Sequence, residues 1–161
     1  MFKQSAVIIM RRTQTAPDLD RFRIILKAKG LKATPQRVAV HEAMLAKGHA
    51  SADAVRDWIT QNSAVRITAP SVYNILSQLA SIGLYRQFPS IGSKMYFDLN
   101  TYPHLHIYDR RNDEYKDVQD KELMTLVNSY FKERKYKGYR VDDIEIQLIC
   151  RPARNSKKKQ I

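Results

Sequence analysis

At 161 residues, 43% of them hydrophobic, the chain is long enough to bury one or two small cores. No apolar run approaches the ~18 residues of a membrane-spanning helix, so no membrane association is expected. A single cysteine, Cys150, excludes an internal disulfide and a four-cysteine zinc site, and a net charge of +12 suits a polyanionic partner.

The charge is uneven. Residues 1–97 carry 14 Lys/Arg against 5 Asp/Glu, whereas residues 98–161 carry 14 against 11, with five of those basic groups in 151–161. The first half is therefore the candidate polyanion binder. The apolar patch at 6–10 is shorter than an export signal's core and is followed by Arg11 and Arg12, so a cytoplasmic protein is expected, with Met10 as an alternative start.

In chain order, the first half reads as four helices and a hairpin. Asp18 or Thr15 starts a helix whose apolar face is Phe22, Ile25 and Leu26, and Gly30 stops it. Thr34 followed by Pro35 is an N-cap with proline at the first helical position. The spacing predicts a helix to Lys47 that turns Val38, Val40, Ala43, Met44 and Leu45 toward a core. Ser51 caps a third helix, 52–61, burying Val55, Trp58 and Ile59. Thr68 caps a fourth, with Val72, Ile75, Leu76 and Leu79 on the apolar face and Gly83 as the stop. Residues 84–88 and 94–97 read as strands around the turn 89–93.

Three short helices, a further amphipathic helix and a basic hairpin describe a winged helix-turn-helix, with the fourth helix reading DNA. That helix exposes Ser71, Tyr73 and Asn74, then Ser77 and Gln78. Asparagine can pair with adenine, and tyrosine can meet a phosphate or a thymine methyl. Arg66, Arg86 and Lys94 stand where contacts to backbone phosphates are expected.

The second half changes character. It reads as a hairpin (104–118), a helix from Asp120 to about Lys135, and a strand from Tyr139 to Arg151. Leu123, Leu126, Val127, Tyr130 and Phe131 stripe the helix, and Ile144, Ile146, Leu148 and Cys150 alternate along the strand. So thin a layer buries itself poorly, which predicts pairing with a second copy. A symmetric homodimer would present two reading helices to a palindromic double-stranded operator. The expected fold is α+β: a winged-helix DNA-binding domain at 16–98 followed by a small α/β dimerisation domain at 99–151. Residues 1–15 read as a flexible extension and 152–161 as a disordered basic tail.

Within this frame, His104 and His106 sit two apart on a strand, with both imidazoles on one face. A turn centred between Arg111 and Asn112 places Asp117 across from His106. Asp98 lies just upstream, and His49 comes from far away in the chain. Three imidazoles and two carboxylates suit Fe²⁺, Mn²⁺ or Zn²⁺ better than Ca²⁺ or Mg²⁺. There is no nucleophile motif or substrate-pocket signature, so an enzyme is not expected.

The segments 30–37, 48–53 and 71–74, then Gly83-Leu84, Tyr96-Phe97-Asp98, His104-Leu105-His106 and Lys116-Asp117-Val118, together resemble the ferric uptake regulator (Fur) family over roughly residues 18–152. The resemblance implies a DNA-binding domain, a dimerisation domain and a regulatory metal between them. His49, Asp98, His104, His106 and Asp117 match the five-ligand site of its peroxide-sensing branch, and the two aspartates and Asn74 point to that branch. It implies one Fe²⁺ or Mn²⁺ per subunit, with Zn²⁺ as an in-vitro substitute. It further implies a transcriptional repressor released when H₂O₂ reacts at bound Fe²⁺ and an imidazole, His49 or His104, is oxidised. Peroxide is then the sole small-molecule substrate. The alternative is an iron-, manganese- or zinc-responsive uptake regulator. Many members carry a Cys₄ zinc site built from two C-x-x-C pairs. Here the first pair falls near Asp109-Arg110-Arg111-Asn112 and the second keeps only Cys150, so that zinc is expected to be absent.

Overall fold

The computed structural model describes residues 16–153, so the expected extension at 1–15 and most of the expected tail lie outside the described residues. The architecture is α+β, in two compact units that divide between Tyr102 and Pro103.

The first unit runs α1 (Leu19–Ala28), α2 (Pro35–Lys47), β1 (His49–Ser51), α3 (Ala52–Asn62), α4 (Ala69–Ser81), β2 (Arg86–Pro89) and β3 (Met95–Asp98). Each helix starts at a side-chain cap. Asp18, Thr34, Ser51 and Thr68 accept from the backbone N–H groups of Arg21, Arg37, Ala54 and Ser71. Each such cap contributes about 1 kcal/mol. The caps fix where the helices begin, and the apolar periodicity fixes which face turns inward. Phe22, Leu26, Val40, Met44, Val55, Ile59, Val72, Leu76 and Leu79 are fully buried in one core.

Besides Arg86, described with the site below, two features of this unit depart from the expected pattern. Leu45 is 40% exposed, because the buried face of α2 runs through Ala39, Val40, Ala43 and Met44, and Leu45 lies past its edge. The place on that face is taken by His41, which is fully buried. Its ring stacks on Phe22 at 4.0 Å, its Nδ1 lies 2.7 Å from the Tyr85 hydroxyl, and its Nε2 lies 2.7 Å from the Pro17 carbonyl. The second departure is β1, an unexpected strand. It completes an antiparallel sheet in the order β1-β3-β2. β2 and β3 form the wing, closed by mutual bonds between Ser90 and Lys94.

The second unit runs β4 (Leu105–Asp109), β5 (Glu114–Val118), α5 (Lys121–Lys132) and β6 (Gln147–Cys150), with sheet order β5-β4-β6. The β4–β5 pair is the expected hairpin. β6 returns parallel to β4 on its other side. Both later elements are shorter than expected. α5 stops at Lys132, with Glu133 as its C-cap. Residues before Gln147 are not strand: Arg140 pairs with Asp142, and Asp143 binds the Ile144 N–H, local bonds that compete with a ladder. Met124, rather than Leu126 or Tyr130, is the buried residue of α5; the latter two are 67% and 53% exposed.

Candidate metal centre

His49 is placed by the end of α2. Gly48 N–H donates to the Met44 carbonyl at 2.8 Å, and the Gly48 carbonyl accepts from Leu99 N–H at 2.9 Å. Gly48 holds φ +73° and ψ −58°, a conformation that glycine adopts without a Cβ clash. The chain turns sharply there into β1, and His49 pairs with Asp98 of β3. The His49 Nε2 stands 3.4 Å from Asp98 Oδ1. Asp98 is fully buried and also accepts the Asn100 N–H at 2.8 Å.

The second unit assembles three donors. His104 and His106 flank Leu105, so their rings share a face of the strand, and Asp117 stands opposite His106 in the ladder. The two Nε2 atoms are 3.0 Å apart. Asp117 Oδ1 lies 3.0 Å from the Nε2 of His104 and 3.4 Å from that of His106. Donors ~2.1 Å from a common ion stand about 3.0 Å apart at right angles and about 3.4 Å apart at the tetrahedral angle. The triangle thus has the edges that three ligands of one small cation require. Two imidazoles and one carboxylate on a face is also the donor set of many Fe²⁺ sites. Both histidines are essentially fully buried, so their nitrogens gain little from water.

The sequence profile of the ferric uptake regulator family matches residues 28–148. The chain belongs to this family. It is 29% identical over 83 residues to the peroxide-responsive repressor PerR of Staphylococcus saprophyticus subsp. saprophyticus, a match spanning 51% of this chain and 55% of that protein, about half its length. Its fold is similar to the ferric uptake regulator of Vibrio cholerae (TM-score 0.64, 20% identity, 80% of this chain and 99% of that one). It is also similar to that of Pseudomonas aeruginosa with manganese (TM-score 0.61, 24% identity, 80% and 96%). At these identities the two structures support the shared fold.

On this Fur fold the expected DNA contacts divide. Asn74, Arg66 and Lys94 are exposed, and Tyr73 is 40% exposed with its ring edge-on to Phe97 at 5.9 Å. The Ser71 hydroxyl sits 2.9 Å from the capping Thr68 hydroxyl. Arg86 does not stand on the surface as expected: it is 6% exposed, at the register position opposite Asp98 on β2. The wing strand turns it inward. Gln78 receives a 2.8 Å bond from Arg37, and the Ser77 hydroxyl oxygen is buried, so neither is a free contact group.

Glu145 went unread in the sequence. Its Oε1 lies 2.6 Å from His106 Nδ1. It sits in the alternating run before β6, where the pattern made it an outward-facing polar residue. Only the parallel pairing of β6 with β4 brings it to His106.

In the stretch 109–112, where the sequence shows no cysteine, Asp109 makes a compact turn. Its carboxylate accepts from Arg111 N–H at 2.8 Å, Asn112 N–H at 3.4 Å and the Asn112 side-chain amide at 2.8 Å. The Arg111 backbone bond is the main cause holding the Asp109 carboxyl below its ordinary value. Cys150, a free thiol, pairs with Asp109 in the β4–β6 register.

Proposed function

We propose that this Fur-family chain is a homodimeric, metal-dependent DNA-binding repressor that senses hydrogen peroxide. The observation carrying the metal is the triangle of His104, His106 and Asp117, with edges of 3.0, 3.0 and 3.4 Å. His49 and Asp98 form a second donor edge in the winged-helix unit. We assign all five residues to one Fe²⁺ or Mn²⁺ per subunit, with Zn²⁺ able to substitute in vitro. Under this assignment metal occupancy is a conformational input. Of these five residues, His49 and Asp98 belong to the winged-helix unit, so weakening His49 is expected to loosen the coupling of DNA reading to the metal.

The reading helix is α4, with Tyr73 and Asn74 toward base edges, Ser71 at its first turn, and Arg66 and Lys94 toward phosphates. Leu148 and Ile149 on the edge strand β6, at 45% and 51% exposure, with Leu126 and Tyr130 of α5, support pairing of two chains. The likeness to a peroxide-responsive repressor supports the sensing mode. When bound, Fe²⁺ would act as a redox catalyst for H₂O₂, with no net change in its own oxidation state. In the net reaction the C2 of His49 or His104 gains one peroxide oxygen, and the other leaves as water. The oxidised ring is a poor ligand, so repression ends.

The test is operator binding by the full chain with Mn²⁺, with Mn²⁺ plus chelator, and with His49→Ala in place of the parent. Binding that needs Mn²⁺ and is lost in His49→Ala, with the fold intact by circular dichroism, supports the reading. Binding indifferent to chelator makes the protein a metal-free DNA-binding module instead.

A further inference from the structure

We propose that Glu145 is a positioning residue for the metal centre: it holds His106 so that the imidazole offers Nε2, and not Nδ1, to the ion. This rests on the assignment of His104, His106 and Asp117 as ligands. His106 lies on the central strand of its sheet, and a carboxylate from each side addresses one ring nitrogen. Asp117 of β5 lies on the Nε2 side at 3.4 Å, and Glu145, just ahead of β6, lies on Nδ1 at 2.6 Å.

The chemistry of that short contact is fixed by the partner. An ionised carboxylate only accepts, so Nδ1 must carry the proton and donate it. Nε2 then carries the ring's lone pair on the side where His104 Nε2 and Asp117 Oδ1 stand, at 3.0 and 3.4 Å. The backbone sets the distance, because His106 N–H donates to the carbonyl of Ile146, the residue after Glu145, at 2.9 Å. Tyr115 packs edge-on against the same ring at 5.9 Å and limits its rotation. Glu145 is not itself a ligand in this arrangement, since the two nitrogens of one imidazole point away from each other. Its effect is exerted through His106: it fixes the tautomer, orients the ring and makes Nε2 more basic.

The test uses the full chain and Co²⁺ as probe, titrated in competition with a chromophoric chelator. Glu145→Ala is expected to weaken Co²⁺ binding ~10–100-fold and to alter the visible Co²⁺ bands. Glu145→Gln, whose amide oxygen still accepts the Nδ1–H, is expected to lose less. In the Zn²⁺-loaded protein, the slowly exchanging Nδ1–H proton of His106 should be visible by NMR in the parent and absent in Glu145→Ala. Glu145→Ala also leaves a buried N–H without its acceptor and should lower the melting temperature of the metal-free protein, whereas Glu145→Gln, which keeps an acceptor, should melt close to the parent. The Co²⁺ bands and the Nδ1–H signal are the readouts that a merely structural role would not move. His106→Ala separates the two claims. If it binds Co²⁺ like the parent, the ligand assignment fails and the role of Glu145 fails with it. If it loses Co²⁺ while Glu145→Ala binds normally, the ligand assignment stands and the positioning role is overturned. Equal losses in Glu145→Ala and Glu145→Gln would also overturn positioning by hydrogen bonding.

Discussion

His106 faces Asp117 across the β4–β5 ladder, and the two side chains meet with Nε2 3.4 Å from the carboxylate. The four-residue turn 110–113 sets that register. Asp113 takes φ +54° within it, and Asp109 ties its first half by accepting the Arg111 and Asn112 N–H groups. A slip of one residue would turn Asp117 to the other face of the sheet. Inserting one glycine between Arg111 and Asn112 is therefore expected to weaken metal binding ~100-fold, as much as Asp117→Ala. Calorimetric titration with Mn²⁺ measures both. An insertion variant that binds like the parent would show that Asp117 is not held by the ladder.

Gly48→Ala should cost about 1–3 kcal/mol of stability in the first unit. No atom crowds the site of the added Cβ, so the cost is that of a non-glycine residue at φ +73°. The strain falls one residue before His49. Metal affinity should therefore drop along with the melting temperature, whereas Gly30→Ala, at φ +71° but far along the chain from a ligand, should lower the melting temperature alone.

His41 gives the first unit a pH dependence of known sign. Burial is the main influence and pulls its pKa below the ordinary imidazole value, against the opposing pull of the Pro17 carbonyl and Asp18. The unfolded chain then takes up a proton near pH 6.5 that the folded chain refuses, so this contribution is lost as pH falls below that point. Denaturant melts of the metal-free protein at pH 7.5 and 5.5 should show lower stability at 5.5. His41→Ala should cost about 2–4 kcal/mol at pH 7.5, leaving the Tyr85 hydroxyl and Pro17 carbonyl without this partner, and should flatten the difference between the two pH values.

Tyr73→Ala is expected to weaken operator binding by ~1–3 kcal/mol. Part of that loss passes through the Phe97 ring it packs against, so the melting temperature must be followed in parallel. Asn74→Ala, exposed and without such a contact given by the structure, should weaken operator binding with the melting temperature unchanged. Full operator affinity in both variants would mean that another surface reads the DNA.

What was legible in the sequence was local. Thr34, Ser51 and Thr68 could be read as caps because a cap is decided within four residues. The His106–Asp117 pairing could be counted off the turn. What escaped was decided at long range. Strand β1 is three residues between Gly48 and the Ser51 cap, and it exists only through its pairing with β3. Glu145 reaches His106 across 39 residues by a parallel pairing that no local pattern announces. Arg86 looked like a surface cation because arginine usually is one, and the wing buries it opposite Asp98. His41 lies on a helix face whose period marks it as inward, yet its two hydrogen-bonding partners come from Pro17 and Tyr85, far away in sequence.

The most direct measurement is operator binding under anaerobic conditions with Fe²⁺ and with Mn²⁺, before and after a brief pulse of H₂O₂, followed by mass spectrometry of the peptides carrying His49 and His104. Only the Fe²⁺ complex is expected to release DNA, and one of these peptides is expected to gain a single oxygen. Binding that follows the metal but ignores peroxide, with both peptides unmodified, would contradict peroxide sensing and make the protein a regulator that reads metal supply.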